Sequence, residues 1–259
     1  MRPLVVLAAS AVCVFAQLAP SNDSGVSMGH IHLVVADPEG QKKAWIDAFG
    51  AENIKAGPLD LLKLPGIFVI VSKGMPNGGS NGSTANHIGI AVKDYSATKA
   101  RLEAAGVKMQ ELTPNQQMFA TFPEDIRVEV MEVREQAALV AFHHMHLSVP
   151  DPGVTREWYV KTFGAMAGSR RNLPAAMIPG GEVDFLKAQM PPAPTKGRSL
   201  DHIGFEVKNL EAFIKKLQAD GITMDMPYTD MTQRIGLKIA FLTDPVGTRI
   251  ELTEGLAAK

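Results

Sequence analysis

Histidines recur through this 259-residue chain at a nearly constant interval. All seven fall near the start of four similar segments, which begin at intervals of 57, 57 and 58 residues with His30, His87, His144 and His202. Each lead histidine stands seven residues before an Asp or Asn that can cap a helix, and a Gly follows 12 or 13 residues after that cap. The caps and glycines are Asp37 and Gly50, Asp94 and Gly106, Asp151 and Gly164, and Asn209 and Gly221. Self-similarity at a fixed period indicates one supersecondary unit repeated four times, with its histidine.

The order of elements within the unit follows from its pattern. Each segment opens with a short apolar strand, such as His30-Ile-His-Leu-Val-Val, and continues with a capped helix that ends at its Gly. The predicted helices are Gln41–Phe49, Ala97–Ala105, Thr155–Phe163 and Leu210–Ala219. The rest of each segment is predicted to form strands and turns, including the strands Ile67–Ser72, Ile126–Val133, Val183–Lys187 and Lys238–Thr243. The unit is therefore predicted to be βαβββ, and the fold class α+β.

Alternate segments resemble each other most closely. The first and third share a Phe-Gly-Ala helix end and a Pro-Gly hairpin at Pro65 and Pro179, whereas the second and fourth share His-Ile-Gly and an Arg-x-Glu ending. We therefore expect two tandem domains, each made of one odd and one even segment. The predicted domains are residues 28–135 and 141–255, with the boundary near Gln136–Val140.

The N-terminal residues are typical of an export signal. Arg2 precedes the apolar run Leu4–Phe15, and Val14-Phe15-Ala16 resembles a cleavage site. We expect residues 1–16 to be a signal peptide, residues 17–27 a flexible leader, and the mature protein to be exported to the periplasm or the medium. The apolar run is too short to anchor the mature chain in a membrane. The only cysteine, Cys13, lies in the signal, which excludes a disulfide in the mature chain.

Charge gives little indication of a macromolecular partner. The formal net charge is −1, so there is no electrostatic basis for binding nucleic acid or an anionic membrane. The expected partner is a small-molecule substrate, and a homodimer is left open.

The first-strand histidines, the Asp seven residues after them and Asp244-Pro-Val-Gly-Thr-Arg-Ile-Glu251 resemble the vicinal oxygen chelate superfamily. This is the family of glyoxalases, bleomycin resistance proteins and extradiol dioxygenases. The resemblance covers the chain from residue 28 onward. It implies two tandem domains, in each of which a pair of βαβββ modules forms an open, curved mixed β-barrel around a divalent metal. It says little about the substrate, because one fold hosts many reactions.

In the C-terminal domain, the resemblance implies a metal site formed by His144, His202 and Glu251. Two histidines and one carboxylate leave coordination positions open for substrate or water. Asp184, near the last strand of the third segment, is the candidate fourth ligand, unless it faces solvent. Such a site accepts Fe, Mn, Ni, Co or Zn, so the sequence does not identify the metal. Glu251 and His146 are the candidate catalytic residues, since a carboxylate or histidine would move the proton.

In the N-terminal domain, the corresponding residues are His30, His87 and Glu129. The interval from His87 to Glu129 is 42 residues, against 49 from His202 to Glu251, and Val69 is taken as the equivalent of Asp184. This domain is therefore either a second metal site or a degenerate scaffold.

Three functions fit these residues. The favoured one is a glyoxalase-like lyase or isomerase, in which the metal acts as a Lewis acid on a small oxygenated substrate. The second is an extradiol ring-cleaving dioxygenase, but Phe241 stands where that family has its acidic Tyr, and no histidine occurs between His202 and Glu251. The third is a resistance-type protein that binds a small molecule without catalysis, against which the repeated histidines and carboxylates argue.

Overall fold

A computed structural model describes residues 17–259. The predicted signal peptide, residues 1–16, lies outside this range and stays a prediction. Sixteen strands are present: β1 (Val26–Val35), β2 (Glu52–Ala56), β3 (Leu59–Leu64), β4 (Ile67–Lys73), β5 (Ala85–Val92), β6 (Lys108–Thr113), β7 (Gln117–Phe122), β8 (Ile126–Glu132), β9 (Val140–Val149), β10 (Met166–Arg170), β11 (Leu173–Ile178), β12 (Gly181–Lys187), β13 (Leu200–Val207), β14 (Met226–Asp230), β15 (Lys238–Thr243) and β16 (Arg249–Glu254). The helices are α1 (Pro38–Phe49), α2 (Tyr95–Ala104), α3 (Pro152–Phe163), α4 (Leu210–Ala219) and the short α5 (Thr232–Ile235). Within this range, the helices are all too short or too polar to cross a membrane.

The βαβββ order predicted from the sequence occurs four times. Each main helix begins where its capping residue was expected: Asp37, for example, accepts a hydrogen bond from the backbone N–H of Gly40 at 3.1 Å. Pro38 occupies the first turn of α1, where its missing N–H leaves no helical bond unmade. Helix α1 ends at Gly50, whose φ of 68° is left-handed and therefore favours glycine.

The strands form two eight-stranded mixed sheets. One, here called the outer sheet, has the order β14-β15-β16-β13-β1-β4-β3-β2 and combines the first and fourth modules. The other, the inner sheet, has the order β10-β11-β12-β9-β5-β8-β7-β6 and combines the second and third modules. In each sheet, the two modules meet through an antiparallel pair of first strands, β1 with β13 or β5 with β9. The predicted fold class is confirmed: paired βαβββ modules form open, curved sheets.

The predicted grouping of modules, first with second and third with fourth, is wrong at the level of the sheets. Each sheet joins one odd to one even module, as expected, but the partners come from opposite halves of the chain. The sequence pattern did not distinguish the two groupings, because either one gives every odd module an even partner. Residues 133–139, near the predicted domain boundary, connect β8 to β9 within the inner sheet.

The two sheets share one hydrophobic core, to which the helices contribute. Trp45 of α1 packs against Phe122 at the end of β7, with ring centroids 5.1 Å apart. In the same way, Phe163 of α3 packs against Phe205 of β13 at 4.7 Å. Consecutive modules therefore contact each other through helices and core side chains, whereas hydrogen-bonded pairing joins the first module to the fourth and the second to the third.

The segment predicted to be a flexible leader is tied to the fold. The Gln17 side chain donates hydrogen bonds to the carbonyls of Leu64 and Ile67, and Leu18 is 4% exposed. Asn22 donates to the carbonyl of Phe163 at 3.0 Å. These contacts correct the prediction of flexibility, which rested on the Ser, Asn, Asp and Gly content of the segment.

Candidate metal centres

One candidate centre lies on the outer sheet and consists of His30, His32, His202 and Glu251; we call it the outer cluster. The Nε2 atoms of His30 and His202 each lie 2.9 Å from Oε2 of Glu251. The ring of His32 lies 4.5 Å from that of His202, and one ligand atom from each of the four residues falls within 4.8 Å of the others. Strand β1 supplies the first two histidines, β13 the third, and β16 the carboxylate.

The second candidate centre, the inner cluster, has the same arrangement on the inner sheet. It consists of His87, Glu129, His144 and His146. The Nε2 atoms of His144 and His87 lie 2.9 and 3.2 Å from Oε2 of Glu129. In both clusters, two histidine nitrogens from different modules therefore converge on one carboxylate oxygen.

The structure thus divides the predicted ligands between the two centres in a different way from the sequence prediction. His144 lies with His87 and Glu129, not with His202 and Glu251, and His30 lies with His202 and Glu251. The difference comes from the module grouping, since each cluster still combines two lead histidines with one carboxylate from the last strand of an even module. His32 and His146 belong to the clusters because they share a face with the histidine two residues earlier.

Two glycines make room for the histidines of the partner module. A Cβ built on Gly204 would lie 2.6 Å from Nε2 of His30 and nearer still to two other ring atoms. A Cβ on Gly89 would meet His144 in the same way, again 2.6 Å from Nε2. The His-Ile-Gly motif of the even modules is therefore complementary to the His-x-His motif of the odd modules. It fits both groupings, so it did not reveal which modules pair.

Hydrogen bonds orient one histidine in each cluster toward its carboxylate. Nδ1 of His202 lies 2.6 Å from Oδ1 of Asp201, and Nδ1 of His87 lies 2.8 Å from Oδ1 of Asn86. A metal-binding histidine commonly donates its other ring N–H to such an oxygen, which fixes the tautomer and directs Nε2 at the ion. The sequence reasoning missed Asp201 and Asn86, although each immediately precedes its histidine.

The charge states suit a cation. Burial lowers the pKa of His30 and His32, and lowers the pKa of His87 to about 4 and that of His144 to about 3, so these rings are neutral and able to act as ligands. Burial acts to raise the pKa of Glu251, but hydrogen bonds from His202 and His30 outweigh it, and the pKa falls below the usual range. Glu129 behaves in the same way beside His144 and His87.

Unpartnered nitrogens also fit a metal. Nδ1 of His30, Nδ1 of His32 and both ring nitrogens of His146 are buried without a hydrogen-bond partner. Buried polar atoms of this kind are uncommon in folded proteins and are explained most simply by a ligand. Imidazoles around a single ionised carboxylate are a donor set suited to a first-row divalent cation.

The surroundings of the outer cluster are apolar. Its sheet face carries a second apolar cluster formed by Leu18, Leu61, Phe68, Ile70, Leu237, Ile239, Phe241 and Leu256. Leu18 and Leu256 belong to the N- and C-terminal segments and are 4% and 0% exposed, so both ends of the described chain cover this face. The carboxylate of Glu206 holds the C-terminal turn by accepting hydrogen bonds from the N–H groups of Gly255 and Ala257.

The inner cluster opens onto a cavity with both charged and apolar residues in its wall. A cavity of about 220 Å³ is lined by His87, Leu112, Gln117, Phe119, Glu129, His146, Arg170, Arg171, Leu173 and Leu186. The Gln117 side chain donates a hydrogen bond to Glu129 and accepts one from Arg171. At the positions of Gln117 and Arg170, the outer sheet has Ile239 and Ala56. The arginine and the glutamine were missed from the sequence, because they lie far along the chain from the histidine motifs, Arg170 on the edge strand β10 and Gln117 on β7.

Asp184 belongs to the inner sheet and is fully buried, which rules out a solvent-facing carboxylate. Its Oδ2 lies 3.1 Å from Nε2 of His146, at an angle that makes no hydrogen bond, and 2.7 Å from Nε of Arg170. It is paired across strands with His146, as Ile70 is with His32. The outer equivalent of Asp184 is therefore Ile70, not Val69, since a one-residue slip reverses the face.

Phenylalanine faces the carboxylate in both clusters. Phe241 is paired with Glu251, and its ring lies 5.2 Å from that of His202. Phe119 is paired with Glu129, and its ring lies 5.0 Å from that of His87. Neither ring offers a proton to a bound ligand.

Comparison with known proteins agrees with this geometry. Residues 141–252 match the family model described as the Glyoxalase/Bleomycin resistance protein/Dioxygenase superfamily. The fold is similar to that of a mutant of glyoxalase I from Zea mays, with a TM-score of 0.69 and 13% identity over 90% of this chain and 95% of that one. It is also similar to a putative dioxygenase from Bacillus subtilis, with a TM-score of 0.68 and 16% identity over 88% of this chain and 86% of that one. No curated protein sequence matches significantly.

At these identities the similarity to solved structures establishes the fold alone. The match to the family model is a match in sequence, over residues 141–252. The matched segment covers the third and fourth modules, which supply His144, His202 and Glu251 to two different clusters. Residues 141–252 thus match the Glyoxalase/Bleomycin resistance protein/Dioxygenase superfamily in sequence, and the described chain shares its fold with a glyoxalase I and a putative dioxygenase.

Proposed function

We propose that the chain is a divalent-metal-dependent enzyme that acts on a small oxygenated molecule, with a glyoxalase-like lyase or isomerase reaction. The observation that carries this proposal is the inner cluster, a buried set of histidines around a carboxylate that opens onto a cavity. The proposed metal ligands there are His87, His144 and Glu129. A bound divalent cation supplies a Lewis acid that polarises a substrate oxygen.

The inner cluster is the proposed reaction site, because the cavity gives a substrate access to it. The outer cluster lies under an apolar layer that includes Leu18 and Leu256, and it has the role of a second, more enclosed metal site. This assignment places His30 and His202 outside the reacting centre. It also gives Glu251, which accepts from two histidines, the role of a ligand instead of a proton carrier.

His146 is the proposed proton carrier. Its imidazole lines the cavity, and Asp184 lies beside its Nε2. A carboxylate next to an imidazole orients the ring and stabilises it when it takes up a proton. The outer counterpart, His32, has the hydroxyl of Ser72 2.7 Å from its Nε2 and lacks a carboxylate at the position of Asp184.

The cavity also limits the substrate. Its volume of about 220 Å³ is below the usual range for pockets that enclose a drug-sized ligand, about 300–1,000 Å³. Leu112, Leu173 and Leu186 make part of its wall apolar. The proposed substrate is therefore a compact molecule with two oxygens near one end and a short apolar part. A whole glutathione adduct exceeds this volume, and an exported enzyme would meet little glutathione.

Ring cleavage of catechols is disfavoured, because Phe241 and Phe119 occupy the places where a hydroxyl acid would be needed. The proposal is tested by loading the purified protein with Fe, Mn, Ni, Co or Zn and screening small α-oxygenated carbonyl compounds for proton exchange and elimination. We expect His146→Gln to lose turnover while keeping its bound metal, and the matched outer variant His32→Gln to keep turnover. Turnover retained in His146→Gln would refute the role of His146, whereas bound metal with no turnover of any such compound by the wild type would favour a binding protein instead.

A further inference from the structure

Arg170 is the cationic group closest to the inner cluster. It ends strand β10, and its Nη2 atom lies 3.0 Å from Nε2 of His144 and 3.4 Å from Oε2 of Glu129. Those two atoms are proposed metal donors. We propose that Arg170 is an internal counter-cation that competes with the divalent metal, so that the inner cluster binds metal more weakly than the outer cluster. This inference rests on the proposed function, in which both clusters are metal sites.

Three carboxylates hold the guanidinium in place. Besides Glu129, its Nε atom lies 2.7 Å from Oδ2 of Asp184 and 3.4 Å from Oε1 of Glu182. The Arg170 side chain is only 14% exposed, so water screens these interactions weakly. The metal-free inner cluster therefore already has part of its negative charge balanced from within the chain.

A metal ion and the guanidinium cannot share the same donors. An ion bound to His144 Nε2 and Glu129 Oε2 would stand within a few ångströms of Nη2, where two positive groups repel strongly in a poorly screened site. Binding therefore requires Arg170 to withdraw. Since Arg170 lines the cavity, a path for that movement exists, and Asp184 and Glu182 keep it paired at its Nε end.

The outer cluster lacks this competitor. The residue in the position of Arg170 is Ala56, because Arg170 pairs with Leu173 in the β10–β11 hairpin as Ala56 pairs with Leu59 in the β2–β3 hairpin. An alanine brings no charge to His30 or Glu251. Besides their other differences, two clusters with the same ligand types thus differ in this cation.

The test is direct measurement of Mn²⁺ binding by equilibrium dialysis with paramagnetic resonance detection of the free ion. All proteins carry His202→Ala to weaken the outer cluster, so that the inner cluster is observed. Arg170→Met and Arg170→Gln remove the competing charge. Arg171→Met is the matched control, since it removes the same charge from the next residue, whose side chain bonds to Gln117 and not to a ligand.

We expect both Arg170 variants to bind Mn²⁺ at least about tenfold more tightly than the His202→Ala parent, the lower end of effects produced by groups around metal ligands. Arg171→Met should stay within about threefold of the parent, as a charge outside the ligand shell does. Circular dichroism identifies a variant that fails to fold. If one Arg170 variant does not fold, the Mn²⁺ affinity of the other Arg170 variant decides the test. Binding that is unchanged or weaker in the folded Arg170 variants overturns the role of Arg170 alone. Absence of Mn²⁺ binding in the His202→Ala parent and in every variant made from it overturns both this role and the proposed function.

Discussion

Gly89 and Gly204 offer a way to disturb each candidate centre separately, without changing any ligand. Gly89 faces His144 across β5 and β9, and Gly204 faces His30 across β13 and β1. In Gly89→Ala, the new methyl group would lie 2.6 Å from Nε2 of His144, whereas optimal carbon contacts are about 3.5–4.0 Å. The methyl group would lie closer still to Cε1 and Nδ1 of that ring, so the ring must move by more than about 1 Å, because strand pairing holds the backbone that carries the methyl group.

A displacement of that size is large for a metal ligand. Ligand distances are held to within about 0.2 Å, so a ring displaced by about 1 Å no longer binds the ion in the same position. Changes to the shell around ligands weaken metal binding about 10–100-fold, and we expect Gly89→Ala to reach at least the upper end of that range at the inner cluster. Overpacking should also destabilise the fold by about 1–3 kcal/mol. Gly204→Ala should have the same effects at the outer cluster.

The assay is isothermal calorimetry, in which each protein is titrated with a divalent metal ion. Thermal unfolding of the metal-free proteins is measured in parallel. Each variant should weaken one of two binding events and leave the other near its wild-type affinity. Gly153→Ala is the control, since its added Cβ would lie at an ordinary 3.5 Å from the nearest side chain. If Gly89→Ala binds metal as the wild type does, the contact between Gly89 and His144 does not limit the site, and the derivation of the cluster geometry is refuted.

Two further predictions concern stability. The metal-free protein should lose stability as the pH falls from 7 to 5. In the folded chain the pKa values of His87 and His144 are about 4 and 3, below the unfolded value of 6.5. Between pH 7 and pH 5 the unfolded chain therefore takes up protons that the folded chain does not. Each histidine should contribute up to about 2 kcal/mol to that loss, measured as urea midpoints in the presence of a chelator, and equal midpoints at pH 7 and pH 5 would contradict the neutral, buried state of these rings. Deletion of residues 1–16 should leave the fold intact, whereas deletion of residues 1–18 should cost about 2 kcal/mol, since it removes the buried Leu18 and the Gln17 hydrogen bonds. Equal unfolding temperatures for the two truncated proteins would show that this segment is not docked, and N-terminal sequencing of the native protein should find Gln17 first.

The local elements were predictable because their signals are local. Asp37 and Gly50 delimit α1 by their own hydrogen bonding and backbone conformation, and the same reasoning located the other three main helices. The residue types of both clusters were predictable for a similar reason. A histidine in the same place of every module and a carboxylate on the last strand of every even module are visible in the sequence as a repeat.

The grouping of the modules was not predictable from the same pattern. Gly204 accommodates a histidine from an odd module, but nothing in the sequence near Gly204 says whether that histidine is His30 or His144. Strand pairing between β1 and β13 depends on residues about 170 positions apart, and such contacts leave no local periodicity. Arg170 was missed for the same reason, since its importance comes only from the place to which the β10–β11 hairpin brings it.

The most direct test of two separate centres, each formed by modules distant in the chain, is the number of divalent ions bound by His144→Ala, by His202→Ala and by the double variant. Measurements use saturating Mn²⁺ with desalting and elemental analysis. Since His144 lies with Glu129 and His202 with Glu251, the wild type should bind two ions, each single variant one, and the double variant none. If instead both single variants lose the same ion, and the double variant loses no more than either alone, the two histidines share one centre and the assignment to two clusters is contradicted.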